Sequence, residues 1–234
     1  MDVRGARLLA VTLVGLGIVA YSAWLLAFVL PTGLSPLQVP VRELMRAGNP
    51  HRDFFRVAEV VSGAAFLLAG PPLVRLAPVH WTARLSAAAV SVFGVLLLFD
   101  AGYPVNAGIE LLLNLSFVVG TGSLVLWWPP GWRSIALYAL VTVLLTWLCL
   151  FVLSQLGPGH FAGLVSRLQA LSRAVILAIG AAYLFRDPAS GHRPAQARIR
   201  KATKLSVPDA TMSRTSATEG SGVRHGRQRQ ADRG

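Results

Sequence analysis

Arg52, Arg56, Glu59, Asp100, Glu110 and Arg173 lie inside or at the edges of long apolar runs. Ionisable side chains in or near hydrocarbon are costly and tend to face the protein interior, so a group of them marks either a functional site or an ion-paired clasp. Glu59, Asp100 and Glu110 would supply carboxylates for a proton relay or for substrate contacts. The arginines would neutralise them or hold an anion. Helical phase sharpens the pattern, because side chains about 100° apart per residue return to the same face every three to four positions. Arg52, Arg56, Glu59, Gly63 and Gly70 then form one stripe, charged at one end and glycine toward the other. Glu110, Asn114, Phe117 and Thr121 form a second stripe, and Ser166, Gln169, Arg173 and Gly180 a third. The expected ion pairs are Arg56 with Glu59, and Arg173 with Asp100 or Glu110. The candidate site is a polar pocket of Arg56, Glu59, Asp100, Glu110, Asn114 and Arg173. A packing clasp that fixes helix register accounts for the same residues, and both readings stand.

Other chemistry finds less support. There is no P-loop, dinucleotide fingerprint, Gly-x-Ser-x-Gly elbow or Cys-x-x-Cys pair. His51, His80 and His160 would be the ligands of a membrane-embedded metal hydrolase, yet His80 falls on the opposite side from the other two, and none has a His-x-x-x-His partner. Thr142, Thr146 and Cys149 share a helix face, the pattern of helix-packing contacts rather than catalysis. No cofactor or metal is implied, and the chain leans away from being an enzyme.

The elements that position these residues are membrane spans. The chain of 234 residues is 54% hydrophobic and 14% charged, well below the ~25% charged residues of a soluble domain. Apolar runs long enough to cross a bilayer core of about 20 residues predict helices at 8–30, 50–70, 83–99, 109–128, 134–153 and 164–185. The first run, Leu8 to Leu30, is longer than the apolar region of a cleaved signal peptide and reads as a retained helix. Residues 41–48 predict a short interfacial helix, and Asn49-Pro50 a helix start. Pro31, Pro36, Pro40, Pro71-Pro72, Pro104, Pro129-Pro130 and Pro158 fall between the runs and are expected to end or separate helices. Trp127, Trp128 and Trp132 cluster at a helix end, as interfacial aromatics do.

The formal charge of +12 lies mostly in the last residues: 186–234 hold eleven Lys or Arg against four Asp or Glu. There hydrophobicity gives way to Ser, Thr, Gly, Gln and Arg, a composition that cannot offset the entropy of ordering. The expectation is a disordered basic tail, either a solvated topological anchor or a segment that touches anionic lipid. It has no interleaved aromatics to stack bases, which weighs against nucleic acid. Arg outnumbers Lys by 20 to 2, a bias suggesting a GC-rich bacterial genome. The tail also breaks a tie in the placement of basic residues between the two sides, putting both termini in the cytoplasm.

Glu43-Leu44, Gly48-Asn49-Pro50-His51 and Phe55-Arg56, leading into an apolar helix, resemble the start of the bacterial membrane family known as domain of unknown function 998. Asp100 with Pro104 after the third helix, and Gly163 with Arg167 opening the sixth, extend the resemblance over roughly residues 8–185. The loop after the third helix is shorter here than the family's and lacks its Cys and His. The resemblance implies a fold and no reaction.

Together these readings predict an all-α, polytopic inner-membrane protein, with a six-helix transmembrane bundle at 1–185 and a tail at 186–234. The leading function is a non-enzymatic envelope protein binding lipid or a partner, with membrane lipids its implied contacts and no particular protein partner indicated. A small-solute or proton-coupled transporter and a membrane-embedded hydrolase are the alternatives.

Overall fold

A computed structural model describes residues 2–31, 35, 37–78, 80–103, 106–155 and 161–186. The tail from 187 onward, Pro36, Pro104, Pro158 and His160 lie outside the described residues. Six helices are long and apolar enough to cross a membrane, and no strand occurs among the described residues.

Helix α1 runs from Val3 to Tyr21 and continues as a 3-10 stretch, Ser22–Phe28. It begins five residues before the expected start because the Asp2 carboxylate accepts the Gly5 N–H at 2.8 Å, capping the first turn. A short 3-10 helix, Val41–Met45, follows. Helix α2 spans Arg52–Leu76, α3 Trp81–Gly102, α4 Ala107–Trp127, α5 Pro130–Gln155 and α6 Ala162–Phe185. Asn49 acts one turn ahead of α2: its Oδ1 accepts the His51 N–H at 3.0 Å, while its Nδ2 donates to the Leu44 carbonyl at 2.7 Å. Asn106 caps α4 by accepting the N–H groups of Gly108 and Ile109.

Pro71 and Pro72 do not end α2, contrary to the expectation; the helix passes through both to Leu76. Much of the clash between a proline ring and the preceding residue involves that residue's Cβ, which Gly70 lacks. The ladder then resumes, with the Ala77 N–H donating to the Leu73 carbonyl at 2.9 Å.

Consecutive helices pack as neighbours, and α1 also packs on α6, so the six form a closed ring. The tightest seam is between α2 and α3. A Cβ on Gly94 would lie 2.5 Å from the Leu67 nitrogen and 2.6 Å from the Gly63 carbonyl oxygen, so only glycine permits this backbone approach. Phe93 fills the centre at 1% exposure, with ring centroids 5.1 Å from Phe117, 5.7 Å from Phe66 and 5.9 Å from Tyr21. Helix α5 is the least enclosed: its span is 11% buried, against 39% for α2 and α3. Its outer face is the one most open to lipid.

The two ends of the ring differ in kind. One holds the 41–45 helix, the last turn of α3 and the first turns of α2, α4 and α6. The other holds an aromatic cluster. Tyr183 sits 5.0 Å from Trp128, 5.2 Å from Trp132 and 5.8 Å from Trp127, centroid to centroid. The Arg186 guanidinium lies over the Trp132 ring at 5.6 Å.

Candidate functional site

The segment from Leu37 to Met45 forms a strap across the polar end. Leu37 and Val39 offer carbonyls to α6: the Leu164 N–H reaches the first at 3.2 Å, and Arg167 Nη1 the second at 2.9 Å. The Val41 N–H donates to Ser166 Oγ at 3.1 Å. From the strap, Arg42 reaches the opposite side of the ring. Its Nε donates to Asp100 Oδ2 at 3.1 Å, its Nη2 pairs with Asp100 Oδ1, and its Nη1 donates to Glu110 Oε2 at 2.8 Å. The Asp100 side chain is only 3% exposed, so this fork supplies the positive charge that a buried carboxylate requires. Burial alone would lower the Arg42 pKa; the hydrogen bond and charge of Asp100, aided by Glu110, outweigh it and hold the guanidinium above its ordinary value.

A second polar layer lies deeper. Asn114, fully buried on α4, accepts from Gln169 Nε2 at 2.8 Å and from Arg173 Nη2 at 2.7 Å through the same Oδ1. Its Nδ2 donates to the Glu110 carbonyl at 2.9 Å. Arg173 Nη1 donates to the Tyr21 hydroxyl at 3.3 Å, and its guanidinium lies 5.9 Å from the Phe117 centroid. At ~1.5 Å per residue, Arg173 stands roughly 16 Å into α6, near the middle of the span. A charge at that depth costs about 2.5–3.5 kcal/mol on insertion scales. Its bonded partners in this layer are neutral, and its Nε has no acceptor among the described residues.

Glu59 lies on α2, about as deep as Asn114 is on α4. Asp100, Arg42 and Arg173 are the charges that act on it. Among the described residues its carboxylate makes no hydrogen bond or ion pair. Arg56, half-buried one turn before, donates from Nε to the Ala101 carbonyl at 2.9 Å, satisfying the C-terminal turn of α3.

The pairing therefore differs from the one expected. Arg56 is bound to a carbonyl and not to Glu59, and Arg173 is bound to Asn114 and Tyr21 and not to Asp100 or Glu110. Arg42, in the short 3-10 helix between α1 and α2, takes both of those carboxylates. Arg52 is also elsewhere: it is exposed and pairs with the adjacent Asp53 at 3.3 Å. The sequence reading missed Arg42, Tyr21 and the strap-binding role of Arg167. Arg42 carried one usable signal, since the expected topology places it on the same side as Asp100 and Glu110. Among the described residues no three His, Cys, Asp or Glu converge as metal ligands.

No family model, curated protein or solved structure matches this chain. Fold and site define a class, an all-helical multi-pass membrane protein with six spanning-capable helices and a buried polar network at one end.

Proposed function

We propose that this chain is a non-enzymatic envelope protein of a bacterial plasma membrane that binds lipid or a membrane partner. The observation supporting this reading is the double engagement of Arg42. One guanidinium occupies both Asp100 and Glu110, the two carboxylates that an acid–base pair or a relay at the rim would need free. The rim then works as a clasp that holds α3, α4 and the strap in register, while the lipid-facing surface carries the function. The likeness to domain of unknown function 998 belongs to the same proposal and adds no reaction to it. Native mass spectrometry of gently extracted protein tests the reading. A retained lipid or a stoichiometric subunit is the expected result, and a bare monomer from lipid-rich extracts overturns it.

Glu59 favours a second reading, proton-coupled transport, because a carboxylate without a bonded partner is a natural proton acceptor. Vesicles reconstituted with the full chain and a trapped pH-sensitive dye separate the two. Under the second reading an imposed gradient drives proton flux that Glu59→Gln abolishes. Equal flux in protein-free and protein-containing vesicles removes it.

A further inference from the structure

At the aromatic end, away from the polar network, a cleft of about 380 Å³ opens where α4 passes into α5, lined by Val125, Trp128, Pro130, Arg133, Ser134 and Leu137. Its polar groups include hydrogen-bond donors, and no acidic side chain lines it among the described residues. Trp128 is 5% exposed, yet its indole Nε1–H has no acceptor among the described residues. That N–H is closed off from solvent, so Trp128 gives the cleft an apolar wall. Arg133 is exposed and makes no ion pair among the described residues, and the Ser134 hydroxyl makes no hydrogen bond among them. Arg133 and Ser134 also lie in the first turn and a half of α5, where the helix dipole favours negative charge.

The apolar part of the lining has a direction. Val125 lies half a turn before the end of α4 and Leu137 two turns into α5, so both continue from the cleft into the span. An occupant thus meets donors at the membrane surface and hydrocarbon below them. Among the described residues the charge of this end favours an anion: Arg4, Arg7, Arg75, Arg84, Arg133 and Arg186 belong to its helix termini, against Asp2 as the acidic residue.

We infer that this cleft binds an anionic glycerophospholipid, with its phosphate at Arg133 and Ser134 and an acyl chain along Val125 and Leu137. The inference rests on the lipid-binding reading and names its ligand class and its site. It requires no change in the polar network, and no covalent step is involved.

The test uses the full chain in nanodiscs made from equal parts phosphatidylglycerol and phosphatidylcholine, with released complexes counted by native mass spectrometry. The wild type is expected to retain phosphatidylglycerol over phosphatidylcholine. Arg133→Gln, at an exposed position that the fold does not need, is expected to lower that preference about tenfold, as the loss of a charge-assisted hydrogen bond implies. Arg84→Ala, at the same end but outside the cleft, is expected to leave the preference as it was. An equal loss in Arg84→Ala and Arg133→Gln would mean diffuse surface charge and overturn the site. Displacement of phosphatidylglycerol by millimolar inorganic phosphate would overturn the assignment to lipid in favour of a free anion. Retention that is strong but indifferent to Arg133 overturns this site alone, whereas a wild type that retains no lipid overturns the lipid-binding reading with it.

Discussion

The strapped end and the tryptophan end must both close six helices at a membrane surface, and they do so with opposite kinds of contact. At the strapped end few atoms carry the closure. Arg42 holds two carboxylates, Asn114 Oδ1 holds two donors, and each bond has a defined direction. At the other end Tyr183 touches three tryptophan rings through broad, non-directional surfaces, and one hydrogen bond, from Trp127 Nε1 to Ser86 Oγ at 3.3 Å, accompanies them. Directional contacts in a low-dielectric interior fail all at once when a partner is lost, because the remaining group is stranded without water. Ring contacts degrade gradually, because neighbours can close part of the gap. The lesson is that charge density does not measure how much an end contributes to stability; the number of groups left stranded does.

The largest test of this contrast is Arg42→Met. It strands the buried Asp100 carboxylate, and stability in detergent, followed by thermal unfolding, is expected to fall by about 3–5 kcal/mol. Combining it with Asp100→Leu removes both charges and is expected to recover most of that loss. If the pair of changes is as damaging as Arg42→Met alone, packing and not stranded charge governs this end. Asn114→Leu should cost less, about 1–3 kcal/mol, since it leaves Gln169 and one Arg173 donor without an acceptor but no carboxylate exposed to lipid. Trp132→Leu is the smallest of the three, about 0.5–1.5 kcal/mol beyond its lost area, because Trp128 and Tyr183 still face one another. A Trp132→Leu loss matching that of Arg42→Met would dissolve the distinction between the ends.

The faces of the helices were legible and the partners were not. Three-to-four spacing is a local property, so the stripe Asn114, Phe117, Thr121 could be read directly, and all three are buried. The same rule placed Gln169 and Arg173 together on α6, where both face Asn114. It failed at Arg52, which stays exposed and pairs with the adjacent Asp53, while Phe55 takes the inward side of that first turn. The ion pairs depend on the path of residues 37–45, which has no period to read. Only once the strap crosses the ring is Arg42 nearer to Asp100 than any helical arginine. Helix ends were misplaced for a comparable reason: proline removes a donor wherever it stands, yet α2 runs on through Pro71, which Gly70 precedes, and through Pro72 to Leu76.

Arg42 sits between the first and second spans in the chain, yet its carboxylates are 58 and 68 residues further along. At synthesis rates of ~5–20 residues per second, roughly 3–14 s separate its appearance from that of Glu110. During that interval the guanidinium waits in the aqueous loop while α2 and α3 enter the membrane. The bonds from the strap to Ser166 and Arg167 wait longer still, spanning 125 and 128 residues. The polar end is thus sealed last, and a chain missing its final helix would have a strap with nothing on that side to fasten to. The clasp makes completion of the bundle a chemically distinct event, marked by the passage of residues 37–45 from a loose loop to a bound one.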